Sequence, residues 1–75
     1  MIFELSPRQI KDLKNKYRQI IDKRQADRIR VVLALADGNS VAHVSRLFLL
    51  GEDTVRRYFC LFKEGGINGL LESTL

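Results

Sequence analysis

Two adjacent arginines, Arg56 and Arg57, are the residues whose type and spacing best suit a defined chemistry in this sequence. A guanidinium group presents N–H donors in a fixed plane, and these donors pair with base-edge acceptors and with phosphate oxygens. Successive residues lie about 100° apart on a helix, which places both arginines on the face opposite an apolar stripe. The pattern predicts a surface that binds a partner through hydrogen bonds and charge.

The helix that carries these arginines is predicted over residues 52–64. Gly51 is its predicted N-cap, and Gly65 and Gly66 end it, because glycine tolerates the left-handed conformation that commonly follows a last turn. Acidic residues in the first turn suit the helix dipole. Its apolar face comprises Val55, Tyr58, Phe59 and Phe62, and its exposed face comprises Asp53, Arg56, Arg57, Cys60 and Glu64.

A shorter helix, over residues 41–48, is predicted immediately before it. Ser40 is a good N-cap, and apolar residues follow at helical spacing at Val41, Val44, Leu47 and Phe48. Two helices joined by a tight turn, with cations early on the exposed face of the second, form the geometry that places side chains in a DNA major groove. The sequence therefore predicts a helix-turn-helix.

Two further helices are predicted before this unit, over residues 7–17 and 23–37. The first begins with a capping box at Ser6 and Gln9 around Pro7, and the second begins after Asp22. The surplus of apolar residues on the second helix indicates either a central helix covered from two sides or a spare face for dimerisation. Its predicted core stripe is Ile29, Val32, Leu33 and Ala36, and the surplus is Val31, Ala34 and Leu35.

The chain is predicted to be a single all-α domain over residues 1–75, with about four helices and an exit segment over residues 65–75. A core of this size stabilises the fold by only a few kcal/mol, on the order of 3–5. No apolar run is long enough to span a membrane, and the N-terminus lacks the pattern of a signal peptide. We expect a soluble, cytoplasmic protein.

The net charge of +4 and the pI near 9.6 favour an anionic partner. The positive charge is concentrated between Arg8 and Arg30, where nine cations face three aspartates, and the rest of the chain is slightly acidic. We expect non-specific attraction to phosphate to come from this half, while the second half supplies the helix that faces the groove. The alternative is an ordinary solvated cationic face.

Catalysis, metal binding and disulfide formation have little support in the residue pattern. Cys60 is the single cysteine, and His43 has no second ligand or carboxylate partner, so His43 is predicted to lie at the surface or to contact phosphate. The carboxylates are scattered and form no metal constellation. We expect no enzymatic activity, no cofactor, no metal and no small-molecule substrate.

Residues 37–71, DGNSVAHVSRLFLLGEDTVRRYFCLFKEGGINGLL, resemble the N-terminal helix-turn-helix domain of insertion-sequence transposases of the mariner superfamily. The most specific part is the Gly-Gly-x-x-Gly-Leu exit after the second helix. The opening residues Leu5-Ser6-Pro7 also fit the usual start of that family. The other matching parts are Asp37-Gly38, Ser40-Val41 and Asp53-Thr54-Val55-Arg56-Arg57-Tyr58.

This resemblance implies a homeodomain-like fold that binds double-stranded DNA at the terminal inverted repeats of a mobile element. It also implies a bacterial, nucleoid-associated location. The ribonuclease-H-like catalytic domain of such transposases has no counterpart in these residues, so a domain of a longer transposase or a truncated product is expected. The DNA-binding residues expected are Ser40, His43, Glu52, Asp53, Thr54, Arg56, Arg57, Cys60 and Lys63, with Thr54 near phosphate.

Two positions depart from the family pattern. The glycine usual in the turn is Leu49, and the usual serine or threonine cap is Gly51. A leucine with positive φ costs on the order of 1 kcal/mol or more. We therefore expect a non-standard turn or a shifted start of the second helix.

Two other functions remain open. A stand-alone transcriptional regulator uses the same DNA surface but requires a homodimer to read two half-sites. A protein-interaction module docks a partner on apolar residues outside the core, and it binds DNA weakly and without sequence preference. The apolar residues assigned to that role are Val31, Leu35, Leu61, Leu70, Leu71 and Leu75.

Overall fold

The computed structural model describes residues 3–72, and all of the regular secondary structure in that range is helical. The predicted all-α class with four helices is confirmed. Residue Leu75 and the last part of the predicted exit segment, residues 73–75, lie outside the described residues. The helices are α1 (Pro7–Gln19), α2 (Lys23–Ala36), α3 (Val41–Phe48) and α4 (Glu52–Glu72).

Local capping signals determine where the first three helices begin. The Ser6 hydroxyl accepts the Gln9 amide N–H at 3.1 Å, while the Gln9 side chain accepts the Ser6 amide N–H at 2.8 Å, which completes the capping box. Asp22 accepts the amide N–H of Arg24 at 2.8 Å, and Ser40 caps α3. These helix starts agree with the sequence prediction, whereas α1 extends two residues beyond its predicted end at residue 17.

Helix α2 is the centre of the fold and packs against each of the other three helices. Val31 and Leu35, predicted to lie outside the core stripe and to dock a partner, are 0% and 2% exposed, so that prediction is wrong. Leu33, predicted in the core stripe, is only partly buried. Packing therefore favours a central α2 covered by other helices, in which the surplus residues Val31 and Leu35 are core and Ala34 is partly buried.

The core joins one or more side chains from every helix. Phe59 is its largest fully buried side chain, and the ring of Phe3 packs edge-on against it with the ring centroids 4.9 Å apart. Edge-to-face contact of this kind ties the segment before α1 to α4. The buried set is Leu13, Ile29, Val31, Val32, Leu35, Val44, Val55, Phe59, Phe62 and Leu70.

Helix α4 contains a sharp break at Gly66, and the chain then turns helical again. Gly66 has φ 66° and ψ −158°, a conformation that essentially only glycine adopts. Within the exit segment predicted over residues 65–75, residues 67–72 form a short helical stretch, here called the arm. Leu70 in this arm is fully buried, and a Cβ at Gly69 would lie 3.0 Å from the Leu61 carbonyl oxygen. The two glycines allow the arm, residues 67–72, to fold back onto the core.

The arm is anchored to α2 by Arg28. One guanidinium nitrogen of Arg28 donates to the Leu70 carbonyl oxygen at 2.8 Å, and the guanidinium carbon lies 5.2 Å from the centroid of the Tyr58 ring. Gln25 adds a longer contact, 3.5 Å from its Nε2 to the Leu71 carbonyl oxygen. Arg28 thus links α2 to both parts of α4, the part before Gly66 and the arm after it. Leu70, previously considered for partner docking, belongs to the core.

We predict that Arg28→Ala lowers the free energy of unfolding by about 1.5–3 kcal/mol, because a hydrogen bond from a charged donor in a part-buried position is lost. Urea unfolding measures this change. Hydrogen exchange of the amides of residues 67–72 should accelerate in the variant, since the arm loses its anchor.

The matched control is Arg24→Ala on the same helix, at an exposed position whose side chain has no hydrogen bond or ion pair within the described residues. We expect it to change stability by less than about 0.5 kcal/mol. Equal effects of the two substitutions would contradict the anchoring role of Arg28.

Candidate nucleic-acid interface

The turn between α3 and α4 is closed by hydrogen bonds back into α3. Leu49 adopts the left-handed conformation, with φ 56° and ψ 44°, and its amide N–H donates to the Ser45 carbonyl oxygen. The Leu50 amide N–H donates to the same oxygen at 3.0 Å, and the Ser45 hydroxyl donates to the Leu50 carbonyl oxygen. This pattern satisfies carbonyl groups at the end of α3. It fixes the direction in which the chain enters α4.

The expectation of a rearranged turn or a shifted helix start is wrong. Leu49 itself takes the conformation that glycine usually supplies, and α4 begins at Glu52 as predicted. The Val55 amide N–H donates to the Gly51 carbonyl oxygen at 3.1 Å, the first bond of the helix. The Leu49 side chain is 91% exposed, so the cost at this position is the local clash of its Cβ with its own backbone.

Helix α4 presents two faces, and their composition follows the sequence prediction closely. Val55, Phe59 and Phe62 are buried against α2 and α3, and Tyr58 is half-buried. The first four turns of α4 therefore offer one polar strip to solvent, positioned by a rigid apolar face. Exposed on that strip are Glu52, Asp53, Arg56, Arg57, Lys63 and Glu64, with Thr54 and Cys60 half-buried at its edges.

Arg56 is held by two carboxylates of its own helix. One of its terminal nitrogens lies 3.2 Å from a Glu52 carboxylate oxygen, and the other lies 3.1 Å from an Asp53 carboxylate oxygen. These pairs have the i,i+4 and i,i+3 spacings at which acidic and basic side chains meet on a helix. Arg57 is exposed and has no ion pair in the described part of the chain. Nearby carboxylates thus offset the charge of Arg56, whereas the charge of Arg57 has no such partner among the described residues.

At the start of α3, Ser40 and His43 lie together. The Ser40 hydroxyl accepts the His43 amide N–H at 3.1 Å, and both side chains are exposed. A helix N-terminus with a small hydroxyl and an imidazole presents donors suited to a phosphate oxygen. The structure brings these two residues to one helix end, whereas the other predicted site residues lie along α4.

The prediction that Leu47 lies in the apolar stripe of α3 is wrong. Leu47 is 61% exposed, whereas the neighbouring Phe48 is partly buried. Together with Leu49 it gives the turn an apolar outer surface. Its spacing of three from Val44 is helical, so periodicity alone did not distinguish it from a core residue.

The cationic segment predicted to attract phosphate is only partly available. Arg28 is engaged with the arm, and Arg30 lies 3.7 Å from an Asp27 carboxylate oxygen and 5.2 Å from the centroid of the Phe48 ring. Within that segment, the exposed cations lie on α1 and α2. They are Arg8, Lys11, Lys14, Arg18, Lys23, Arg24 and Arg30.

Within the described residues, no group of three or more histidine, cysteine, aspartate or glutamate side chains is arranged to hold a metal ion. In the same range no helix has the length and apolarity that crossing a membrane requires. Cys60 is a free, half-buried thiol.

The chain belongs to a family of helix-turn-helix domains, because the family model described as a helix-turn-helix domain matches residues 27–72, more than half of its length. Membership implies that the chain binds DNA. The matched region begins within α2 and includes α3, α4 and the arm. Comparisons with curated proteins and with solved structures gave no match.

We predict that Leu49→Gly stabilises the protein by about 1 kcal/mol, because glycine removes the steric cost of the left-handed conformation. Little packing is lost, since the Leu49 side chain is almost fully exposed. Thermal and urea unfolding measure the change.

Ile21→Gly is the matched control. Ile21 is also fully exposed, but it is not among the positive-φ residues of the described chain, so glycine gains nothing there and destabilises through added freedom of the unfolded chain. Equal effects of the two glycine substitutions would show that the turn stores no steric cost.

Proposed function

We propose that this protein binds double-stranded DNA sequence-specifically, with the exposed strip of α4 in the major groove. The observation that carries the proposal is the position of Arg56 and Arg57, exposed on a helix whose opposite face, including Val55 and Phe59, is locked into the core. A rigidly backed helix holds its side chains at fixed positions, which base readout requires.

The remaining polar residues fit roles around that helix. Ser40 and His43 at the start of α3, with Thr54 in the first turn of α4, are placed to contact phosphate, which sets the register of the helix in the groove. Lys63 lies near the far end of the strip. The cations of α1, among them Lys14, supply attraction to DNA of any sequence.

The proposed DNA target is the terminal inverted repeat of a mobile element. Support comes from the resemblance of residues 37–71 to the helix-turn-helix of mariner-superfamily transposases, and from the structural roles of two glycines in its exit motif. Gly66 makes the break in α4, and Gly69 permits the close approach of the arm to the Leu61 carbonyl. In this role the chain is a binding module rather than an enzyme, and it acts in the bacterial cytoplasm on nucleoid DNA.

A second candidate is a stand-alone transcriptional regulator that binds two half-sites as a dimer. Two exposed leucines at the turn between α3 and α4, Leu47 and Leu49, support this candidate. They form an apolar surface of the kind that a dimer interface covers. Sedimentation of the protein with and without DNA separates the two functions, since only the regulator requires a homodimer.

We predict that Arg56→Ala and Arg57→Ala each weaken binding to a preferred duplex by about 1–3 kcal/mol and reduce the preference over a scrambled duplex, if each side chain reads a base. The preferred duplex is obtained by selection from a randomised library. Fluorescence anisotropy titration at low and high salt measures both affinities.

Lys14→Ala on α1 is the control, because a phosphate contact weakens all sequences alike and lowers the salt dependence. Unchanged binding in both arginine variants would show that the exposed strip of α4 does not contact the bases. Equal, strongly salt-dependent binding of the wild-type protein to all duplexes would contradict sequence-specific recognition.

A further inference from the structure

The cluster of Glu52, Asp53 and Arg56 is the least expected feature of the exposed strip of α4. Two carboxylates surround one guanidinium, so the cluster carries a net negative charge at the end of α4 that enters the groove. The Asp53 side chain is fully exposed, and Glu52 and Arg56 are about half exposed, 50% and 45%. A negative cluster is unfavourable for a surface that only has to attract phosphate.

We propose that Glu52 and Asp53 are specificity-determining residues, which hold Arg56 for base recognition and suppress its use as a phosphate anchor. This inference rests on the proposed function, since it assigns roles within the same exposed strip of α4. Glu52 and Asp53 are positioning residues in the sense that they act partly through Arg56.

The hydrogen-bond geometry allows Arg56 to stay paired while it reads a base. Arginine has five N–H donors, and the two ion pairs engage its two terminal nitrogens once each. The Nε–H and one N–H on each terminal nitrogen remain for an acceptor pair such as the O6 and N7 atoms of guanine. A guanidinium fixed in advance loses less side-chain freedom when it binds, which strengthens the cognate contact selectively.

The same carboxylates oppose contact with the DNA backbone. Duplex DNA carries about one negative charge per 1.7 Å of axis, and a carboxylate brought near phosphate without a compensating donor is repelled. At a cognate site this cost falls, because a carboxylate accepts a hydrogen bond from a cytosine or adenine amino group. Non-cognate sites do not offer that hydrogen bond, so the two carboxylates weaken binding to them more than binding to the cognate site.

A purely structural role predicts a different result. Acidic residues in the first turn stabilise a helix through its dipole, and Glu52 and Asp53 occupy that turn. If this were their only role, neutral replacements would lower thermal stability and leave the ratio of cognate to scrambled affinity unchanged. The affinity ratio therefore separates the two roles.

The test is the double variant E52Q/D53N, which keeps side-chain shape and removes both charges. The matched control is D12N/E72Q, which makes the same chemical changes at exposed positions outside α3 and outside the exposed strip of α4. Both variants reach the same net charge. The probes are a duplex selected from a randomised library by the wild-type protein and a scrambled duplex of equal length and composition, titrated at two salt concentrations.

We expect E52Q/D53N to bind the scrambled duplex about tenfold more tightly, and the selected duplex less than about threefold more tightly, so that the preference falls several-fold. The control should strengthen binding to both duplexes alike. Circular dichroism at the titration temperature verifies that each variant is folded.

An unchanged preference in E52Q/D53N, with wild-type protein still preferring the selected duplex, would overturn this inference and leave the proposed function intact. A selection that enriches no sequence, or wild-type protein that binds both duplexes equally, would overturn the proposed function itself, and the inference with it.

Discussion

Burial of α2 is the constraint on which the rest of the structure depends. A chain of 75 residues has little core to spare, and here one helix contributes four fully or almost fully buried side chains, Ile29, Val31, Val32 and Leu35. Their positions around α2 require cover from more than one side. Helices α1, α3 and α4 supply that cover, and the orientation of α4 toward solvent follows from how its apolar face completes the core.

The features governed by local chemistry could be predicted from the sequence. The helix starts after Ser6, Asp22 and Ser40 follow from side chains that cap the backbone within three residues, and the two faces of α4 follow from helical spacing. Each of these depends on contacts between near neighbours in the chain. The polar strip with Arg56 and Arg57 could therefore be located before any tertiary contact was known.

The features that were mispredicted depend on contacts distant in sequence. Val31 and Leu35 appeared surplus because the packing of three helices around α2 cannot be inferred from α2 alone. The position of residues 67–72 on the core could not be predicted locally either, since Arg28, which anchors them, lies 42 residues from Leu70. Leu49 was expected to distort the turn, yet it adopts the left-handed conformation while Ser45 and Leu50 keep their hydrogen bonds across the turn. Packing and hydrogen bonding overrode local preference at each of these positions.

The net charge of the chain does not indicate the charge at the exposed strip of α4. The chain is basic overall, but its exposed cations lie mainly on α1 and the start of α2, while the entry of α4 is negative because two carboxylates surround Arg56. We infer that attraction to DNA of any sequence falls to the α1 surface and discrimination among sequences to α4. In this proposal the α1 surface holds the protein near DNA without determining where α4 binds.

Entry of α4 into the major groove is tested by a titration of isotopically labelled protein with the selected duplex, followed through backbone amide chemical shifts. We predict that the largest changes fall in residues 52–60 of α4 and around Ser40 and His43, with smaller, salt-sensitive changes along α1. Large changes confined to α1, with α4 unaffected, would contradict the claim that α4 enters the major groove.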